Sequence, residues 1–363
     1  MRKFCILARA IGITMLAGGL LFLAAAGAHS QSADQRHKQI TVKPTDVDNQ
    51  AAKQATVVFR KAWSGSKPKE IAESKLRFSA GKAERGESSA SARKAERGES
   101  SSHEIGDNPP RYPGDLSFQG GAVVEFAESH AIYMLPNGTC PIADCWGNPE
   151  GFLRDLGRSE FIHVTDQYVG HQSSNRYTVG QRAMVPFIPS TTPFTDNDML
   201  AVIHAVASLT GQTGYGHIYH VFLPQGTDEC FDSTFTVCAS NVFCAYHSSA
   251  DFTDIGHILY SVEPFANVQG CQVKPGTPNG MLVDSTNDVL SHELIETITD
   301  PDGTGWWNST GGGMLGQEIG DECVFFIPPF FLYSDPAIIN VHGRPYALQP
   351  EYNNRQHACT AEN

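Results

Sequence analysis

Lysine is almost missing from the larger part of this chain. From Pro109 to Asn363 the sequence holds a single lysine, Lys274, and only 8 lysines and arginines against 28 aspartates and glutamates. Such a balance repels phosphate backbones, which argues against nucleic acid as a partner and suits a basic ligand or a bound metal ion. No G-x-S-x-G motif and no P-loop occurs, so serine-hydrolase and nucleotide-binding readings have nothing to rest on. No pair of C-x-x-C motifs is present, which argues against a thiolate metal cluster. Between residues 29 and 108 there is no cysteine, and the only aromatics are Phe59, Trp63 and Phe78.

The start of the chain reads as an export signal. Arg2, Lys3 and Arg9 accompany an apolar run over residues 10–26, and Ala26-Gly27-Ala28 supplies small residues for cleavage after Ala28. Residues 1–28 therefore read as a signal peptide, with an uncleaved membrane anchor as the alternative. Cysteine usage agrees with a secreted, periplasmic or extracellular location. Cys5 leaves with the signal, and eight remain: Cys140, Cys145, Cys230, Cys238, Cys244, Cys271, Cys323 and Cys359. An even number in an exported chain predicts disulfides, whose pairing spacing alone leaves open.

Residues 29–108 carry 15 basic against 11 acidic side chains and a direct repeat, Lys82-Ala83-Glu84-Arg85-Gly86-Glu87-Ser88-Ser89 recurring from Lys94 to Ser101. Mixed charge, serine and glycine without apolar periodicity predict a mostly disordered linker or propeptide. A short strand or helix over residues 56–63, docking on the domain, is the expected exception.

Composition shifts at Asn108-Pro109-Pro110, and residues 109–363 read as one α+β domain with a mixed or antiparallel sheet. Strands are expected over 122–126, 131–135, 161–165, 217–223, 235–246, 257–262 and 281–283. Asn148-Pro149-Glu150 and Thr195-Asp196-Asn197-Asp198 have the form of helix starts. Ser285-Thr286-Asn287-Asp288 opens a third helix, which Asp300-Pro301 ends because the residue before proline avoids the helical region.

That third helix carries the chemistry. His292 and Glu296 are four residues apart and share a face, and Glu293 leans toward the same cleft. Two metal ligands flanking a carboxylate base is the arrangement of a metallohydrolase helix, with Glu in place of the second His of H-E-x-x-H. Leu290, Leu294, Ile295 and Ile298 are expected to face the core. An open catalytic site needs a third ligand, and spacing offers Glu318, Asp302 or Asp300. Glu318 is preferred and Asp302 is the alternative, with Asp321 and Asp300 as supporting carboxylates behind the ligands. One divalent ion is expected, Zn²⁺ first, with Mn²⁺ or Ca²⁺ admitted by the carboxylate-rich set. His217, His220, His247 and His257 fall on predicted strands, where hydrogen-bonded structural roles are the commoner fate. Trp306-Trp307 beside Gly311-Gly312-Gly313 reads as a substrate platform or as core packing.

The run from Ser291 to Pro301, Trp306-Trp307, Glu318-Ile319-Gly320-Asp321-Glu322-Cys323, Cys244-Ala245-Tyr246-His247 and Gln349-Pro350-Glu351-Tyr352-Asn353-Asn354 resembles exported bacterial zincin-like proteins. These are related to the plant exordium, or phosphate-induced protein, family. The resemblance spans roughly residues 122–359. It implies an exported zincin-like domain with a metal site, and the plant members are associated with cell-wall and growth functions. With Glu293 as the base, the helix itself reads as that of a metallopeptidase acting on a peptide or cell-wall-associated substrate. The resemblance equally admits a non-enzymatic exported module with a structural metal site.

Overall fold

The computed structural model describes residues 114–136, 141–170, 175–187, 192–231, 233–308, 317–324 and 336–361, together with two short strands at Lys38–Gln39 and Ala55–Phe59. The expected signal segment, the direct repeat, Cys140 and the triple glycine lie outside the described residues.

Eight strands form the main sheet: β1 (Lys38–Gln39), β2 (Ala55–Phe59), β3 (Ala127–Pro136), β4 (Tyr177–Val179), β5 (Ala183–Phe187), β6 (His217–Phe222), β7 (Phe243–Phe252) and β8 (Gly256–Glu263). Their order is β1–β5–β3–β6–β8–β7–β2, with β4 beside the first residues of β3. β3, β5, β6 and β8 run parallel, while β7 lies antiparallel to both β8 and β2. The sheet is therefore mixed and the domain α+β, as expected. Ala55–Phe59 docks as an edge strand on β7, so a segment N-terminal to the predicted boundary at residue 108 joins the sheet.

Helices cover both faces. Alternation along the strands sends Ile132, Met134, Val221 and Tyr260 to one side, against Leu200, Ile203 and Val206 of helix α2 (Asp196–Thr210). Ala131, Tyr133, Ile218 and Leu259 face the other side, where they join the core of helices α1 (Pro149–Leu156) and α3 (Met281–Thr299). Both shorter helices start as their sequences direct. The Asn148 side chain accepts from the Gly151 N–H, and Thr195 forms a capping box with Asp198.

Four predicted strands fall elsewhere. Residues 122–126 run along α3 instead of entering the sheet, with the Val124 N–H donating to the Ile298 carbonyl at 2.8 Å. Phe161–Thr165 is a 3₁₀ turn, since a short apolar run does not by itself distinguish strand from buried helix. The strand expected from 235 begins only at Phe243, because the Cys230–Cys238 disulfide folds the preceding residues into a turn, with Phe235 at φ 52°. Residues 281–283 form the first turn of α3. Gly280, at φ 89°, turns the chain into it, and the Asp284 carboxylate accepts from the Asn279 N–H at 2.9 Å and its side-chain amide at 2.8 Å.

Helix α3 is buried on all sides from Asp284 to Thr299. Leu290, Leu294, Ile295 and Ile298 pack in the core as expected, yet the opposite, polar face is equally enclosed. A helix enclosed all round must find a partner for each polar side chain it carries.

Disulfides join Cys230 to Cys238, Cys244 to Cys271 and Cys323 to Cys359, and Cys145 is disulfide-bonded as well. This is the cysteine chemistry of an oxidising compartment. Among the described residues no helix is long and apolar enough to cross a membrane.

Candidate metal centre

Three separate parts of the chain meet the polar face of α3. Strand β7 delivers His247, the turn at residues 317–323 delivers Glu318 and Asp321, and the C-terminal hairpin (Glu351–Asn353 with Ala358–Thr360) and the link before it deliver Glu351 and Gln349. The turn is held against the helix by its own backbone. The Asp321 N–H donates to Glu296 Oε1 at 3.1 Å, and the Gln317 N–H donates to Asp321 Oδ2 at 3.1 Å. Gly320 allows this approach: a Cβ there would lie 2.5 Å from His292 Nδ1 and 3.0 Å from Glu296 Oε1. The Gln349 amide then braces the His292 ring, 3.1 Å from Nδ1 and 2.6 Å from the Gly320 carbonyl.

The potential ligand atoms fall into two groups that share Glu296. In the first, His292 Nε2 lies 3.1 Å from Glu296 Oε1 and 3.8 Å from Asp321 Oδ1. In the second, His247 Nδ1 lies 3.5 Å from Glu296 Oε2, and His247 Nε2 lies 3.8 Å from Glu318 Oε1. His247 Nδ1 is also 3.3 Å from Glu293 Oε2, and its Nε2 donates to the Asp300 carbonyl at 3.2 Å.

Proximity here is not hydrogen bonding. His292 Nε2, Glu293 Oε1, Glu296 Oε2, both Glu318 oxygens and Asp321 Oδ1 are all buried without a hydrogen-bond partner. Ligands of one ion behave this way, standing side by side and aimed at a common point. For bonds of 2.0–2.2 Å to a tetrahedral ion, neighbouring ligand atoms are about 3.3–3.6 Å apart. The first group brackets that spacing. Its imidazole nitrogen and carboxylate oxygens also suit a divalent cation of borderline or hard character, so the residues fit such an ion.

Electrostatics point the same way. Burial drives the Glu318 and Asp321 carboxyls well above their ordinary range, and neighbouring Asp300 and Glu296 add to it. Burial likewise raises Glu293 and Glu351, and lifts Glu263, at the end of β8, to about 8. Burial opposes a charge on His247, but Glu293 and Glu296 outweigh it and raise the imidazole to about 10. Glu296 is itself held at about 2, against its burial, by His292 and His247. A divalent ion would offset directly the burial and mutual repulsion that raise Glu318 and Asp321.

The sequence-predicted residues are thus divided. His292, Glu293 and Glu296 share one enclosed face. Glu318, the preferred third ligand, falls beside His247, and Asp321 takes the place next to His292 that had been expected for Glu318. Asp300 supports from behind, its backbone carbonyl accepting from His247 and its carboxylate accepting from the Gly305 N–H at 2.6 Å. Asp302, the alternative ligand, is in neither group: it pairs with His257 Nε2 at 3.3 Å and accepts from the Tyr215 hydroxyl. Trp306 packs as a structural aromatic, its indole N–H donating to the Tyr168 carbonyl at 2.8 Å.

His247, expected to be a structural strand histidine, instead joins the centre, and Glu263 and Glu351 join it with no metal-ligand motif around them to mark them. The available signals were the Cys244-Ala245-Tyr246-His247 and Gln349-Pro350-Glu351 stretches. Compared with protein-family models, curated proteins and solved structures, the chain matches none.

Proposed function

We propose that this protein is an exported metal-dependent hydrolase acting on peptide or cell-wall-associated substrates, with one divalent ion, Zn²⁺ first, held by His292, Glu296 and Asp321. The observation that carries the reading is the Glu293 carboxylate. It is enclosed beside these ligands, with Oε2 3.3 Å from His247 and Oε1 lacking any partner. The ion would supply Lewis acidity at a scissile carbonyl.

The remaining chemistry belongs to the chain. Glu293 takes a proton from the attacking water and delivers it to the leaving amine nitrogen as the C–N bond breaks. Burial raises its pKa above the ordinary carboxylate range, the direction that favours accepting a proton. His247 orients it from the opposite side. The likeness of the Ser291–Pro301 run to zincin-like helices supports the same assignment, as the disulfides support export.

A second reading rests on enclosure. His292 is 2 % exposed, Glu296 0 % and Asp321 2 %, which is how the ligands of a closed structural site sit. Such a site would serve a non-enzymatic exported module.

Elemental analysis and peptide-library hydrolysis separate these readings. The hydrolase predicts a co-purifying divalent ion, and a Glu293→Gln protein that keeps the ion while losing about 10²–10⁴-fold in rate. Hydrolysis that survives Glu293→Gln overturns the mechanism. An ion with no turnover on any peptide leaves the structural site.

A further inference from the structure

On the opposite face of the sheet, at the end remote from residues 132–136 of β3, three other ligand-type side chains converge. Glu128 and His130 are two apart on β3 and so point to the same side, and Glu128 is paired in register with His217 at the start of β6. His130 Nε2 accepts a hydrogen bond from His217 Nδ1 at 3.0 Å, a contact that an ion would replace, and lies 3.5 Å from Glu128 Oε2, while His217 Nδ1 lies 3.9 Å from Glu128 Oε2. These separations straddle the roughly 3.3–3.6 Å expected between the ligands of a tetrahedral zinc ion.

Three features show that the arrangement is built. First, His130 is 1 % exposed, and its Nδ1 faces the Gln181 carbonyl at 3.1 Å. A carbonyl only accepts, so Nδ1 carries the proton and Nε2 presents its lone pair to the cluster, as in an oriented metal-ligating histidine. Second, the Gln212 side-chain amide donates to Glu128 Oε2 at 3.2 Å and steadies the carboxylate. Third, Gly180 leaves room for both groups: a Cβ there would lie 2.3 Å from His130 Cε1 and 2.6 Å from Glu128 Cδ. The His217 and Glu128 side chains are 27 % and 35 % exposed, so one side of the cluster remains open to solvent.

We infer that Glu128, His130 and His217 form a second, exchangeable divalent-metal site of the His₂Glu type, suited to Zn²⁺ and open at its fourth position. It is separate from the centre on α3. Its ligands hang on two adjacent strands, and the ion would pin the start of β6 to β3.

The test is equilibrium dialysis of the full chain with Zn²⁺, comparing wild type, His217→Ala and Glu128→Gln. Each variant should bind one zinc ion fewer than wild type, or bind it at least about tenfold more weakly. This holds whether or not the α3 centre is loaded, because the readout is a difference. Co²⁺ serves as a spectroscopic check. Wild type minus His217→Ala should give the visible absorption of a tetrahedral nitrogen–oxygen site. Glu128→Gln keeps the side-chain shape at a partly exposed position, so it reports on the site even if His217→Ala fails to fold. Equal zinc stoichiometry and affinity in wild type and Glu128→Gln would overturn the inference. Loss of zinc only in His292→Ala would overturn it too, while leaving the α3 centre intact.

Discussion

Glu296 and His247 meet across the gap between α3 and β7, with Oε2 and Nδ1 3.5 Å apart, while the other oxygen of the same carboxylate faces His292 at 3.1 Å. One side chain therefore links the sheet to the helix and belongs to both ligand groups. Replacing His247 by Ala leaves Glu293 and Glu296 facing each other without their shared cation. Breaking one side of a buried charged pair costs about 3–5 kcal/mol. Urea unfolding of His247→Ala at neutral pH should show a loss of that order, and an unchanged midpoint would remove His247 from the network.

The two groups make different demands on the third ligand. Asp321→Asn should weaken divalent-ion retention more than Glu318→Gln, since Asp321 and not Glu318 stands beside His292. The comparison is a chelator titration followed by metal analysis. Retention that depends on Glu318 alone would restore the order expected from spacing.

Gly320→Ala tests the same centre without changing a charge. The added methyl would sit 2.5 Å from His292 Nδ1, so the ring or the turn must shift. Metal affinity should fall at least about tenfold, comparable to losing an orienting contact. Thermal stability with chelator present should fall as well, because the clash does not depend on the ion.

Asp302 offers a pH test outside the centre. Tyr215, His257 and the neighbouring side chains hold its carboxyl well below the ordinary range against partial burial, and His257 is raised by Asp302 and Asp251 against its own. The depressed carboxyl contributes stability above its unfolded pKa of about 3.9, and that contribution is lost as pH falls through the folded value. The raised imidazole contributes fully below about 6.5, and that contribution is lost as pH rises through its folded value. Asp302→Asn should therefore destabilise most between about pH 4 and 6.5 and less at pH 9. Denaturation midpoints at pH 5 and pH 9 measure this, and a loss independent of pH would show that the pair acts only through packing. Asp251, 2.8 Å from the other ring nitrogen, keeps part of the His257 shift in the variant.

Reduction should weaken the centre from a distance. The Cys323–Cys359 bond ties the Asp321 turn to the C-terminal hairpin across 36 residues. In the chain-entropy model such a loop is worth about 4 kcal/mol. Cys323→Ala with Cys359→Ala should lower the thermal midpoint and loosen metal retention together. Unchanged retention would show that the Glu296 contact alone holds the turn.

Much of the local structure was legible in the residues. Asn148 and Thr195 start helices through their own side chains, Asp300-Pro301 stops one, and spacing placed His292, Glu293 and Glu296 on one helical face. Strand boundaries at 161–165, 235–246 and 281–283 were not legible, because a few apolar residues in a row satisfy strand and buried helix equally. There the outcome was decided by Ser159 accepting from the Ile162 N–H, by a disulfide turn, and by Gly280 with the Asp284 carboxylate.

By itself, then, the sequence determined an acidic, disulfide-bonded α+β domain and a helix carrying an imidazole and two carboxylates, because these follow from composition and from contacts within one or two turns. Tertiary structure alone decided which distant residues complete that helix. His247 lies 45 residues before His292 in the chain and Asp321 lies 29 after it. Only the sheet register, the Gly320 approach and the turn bound to Glu296 bring them together. Spacing along a chain constrains neighbours on one element, whereas a ligand shell is assembled by packing, which no local pattern records.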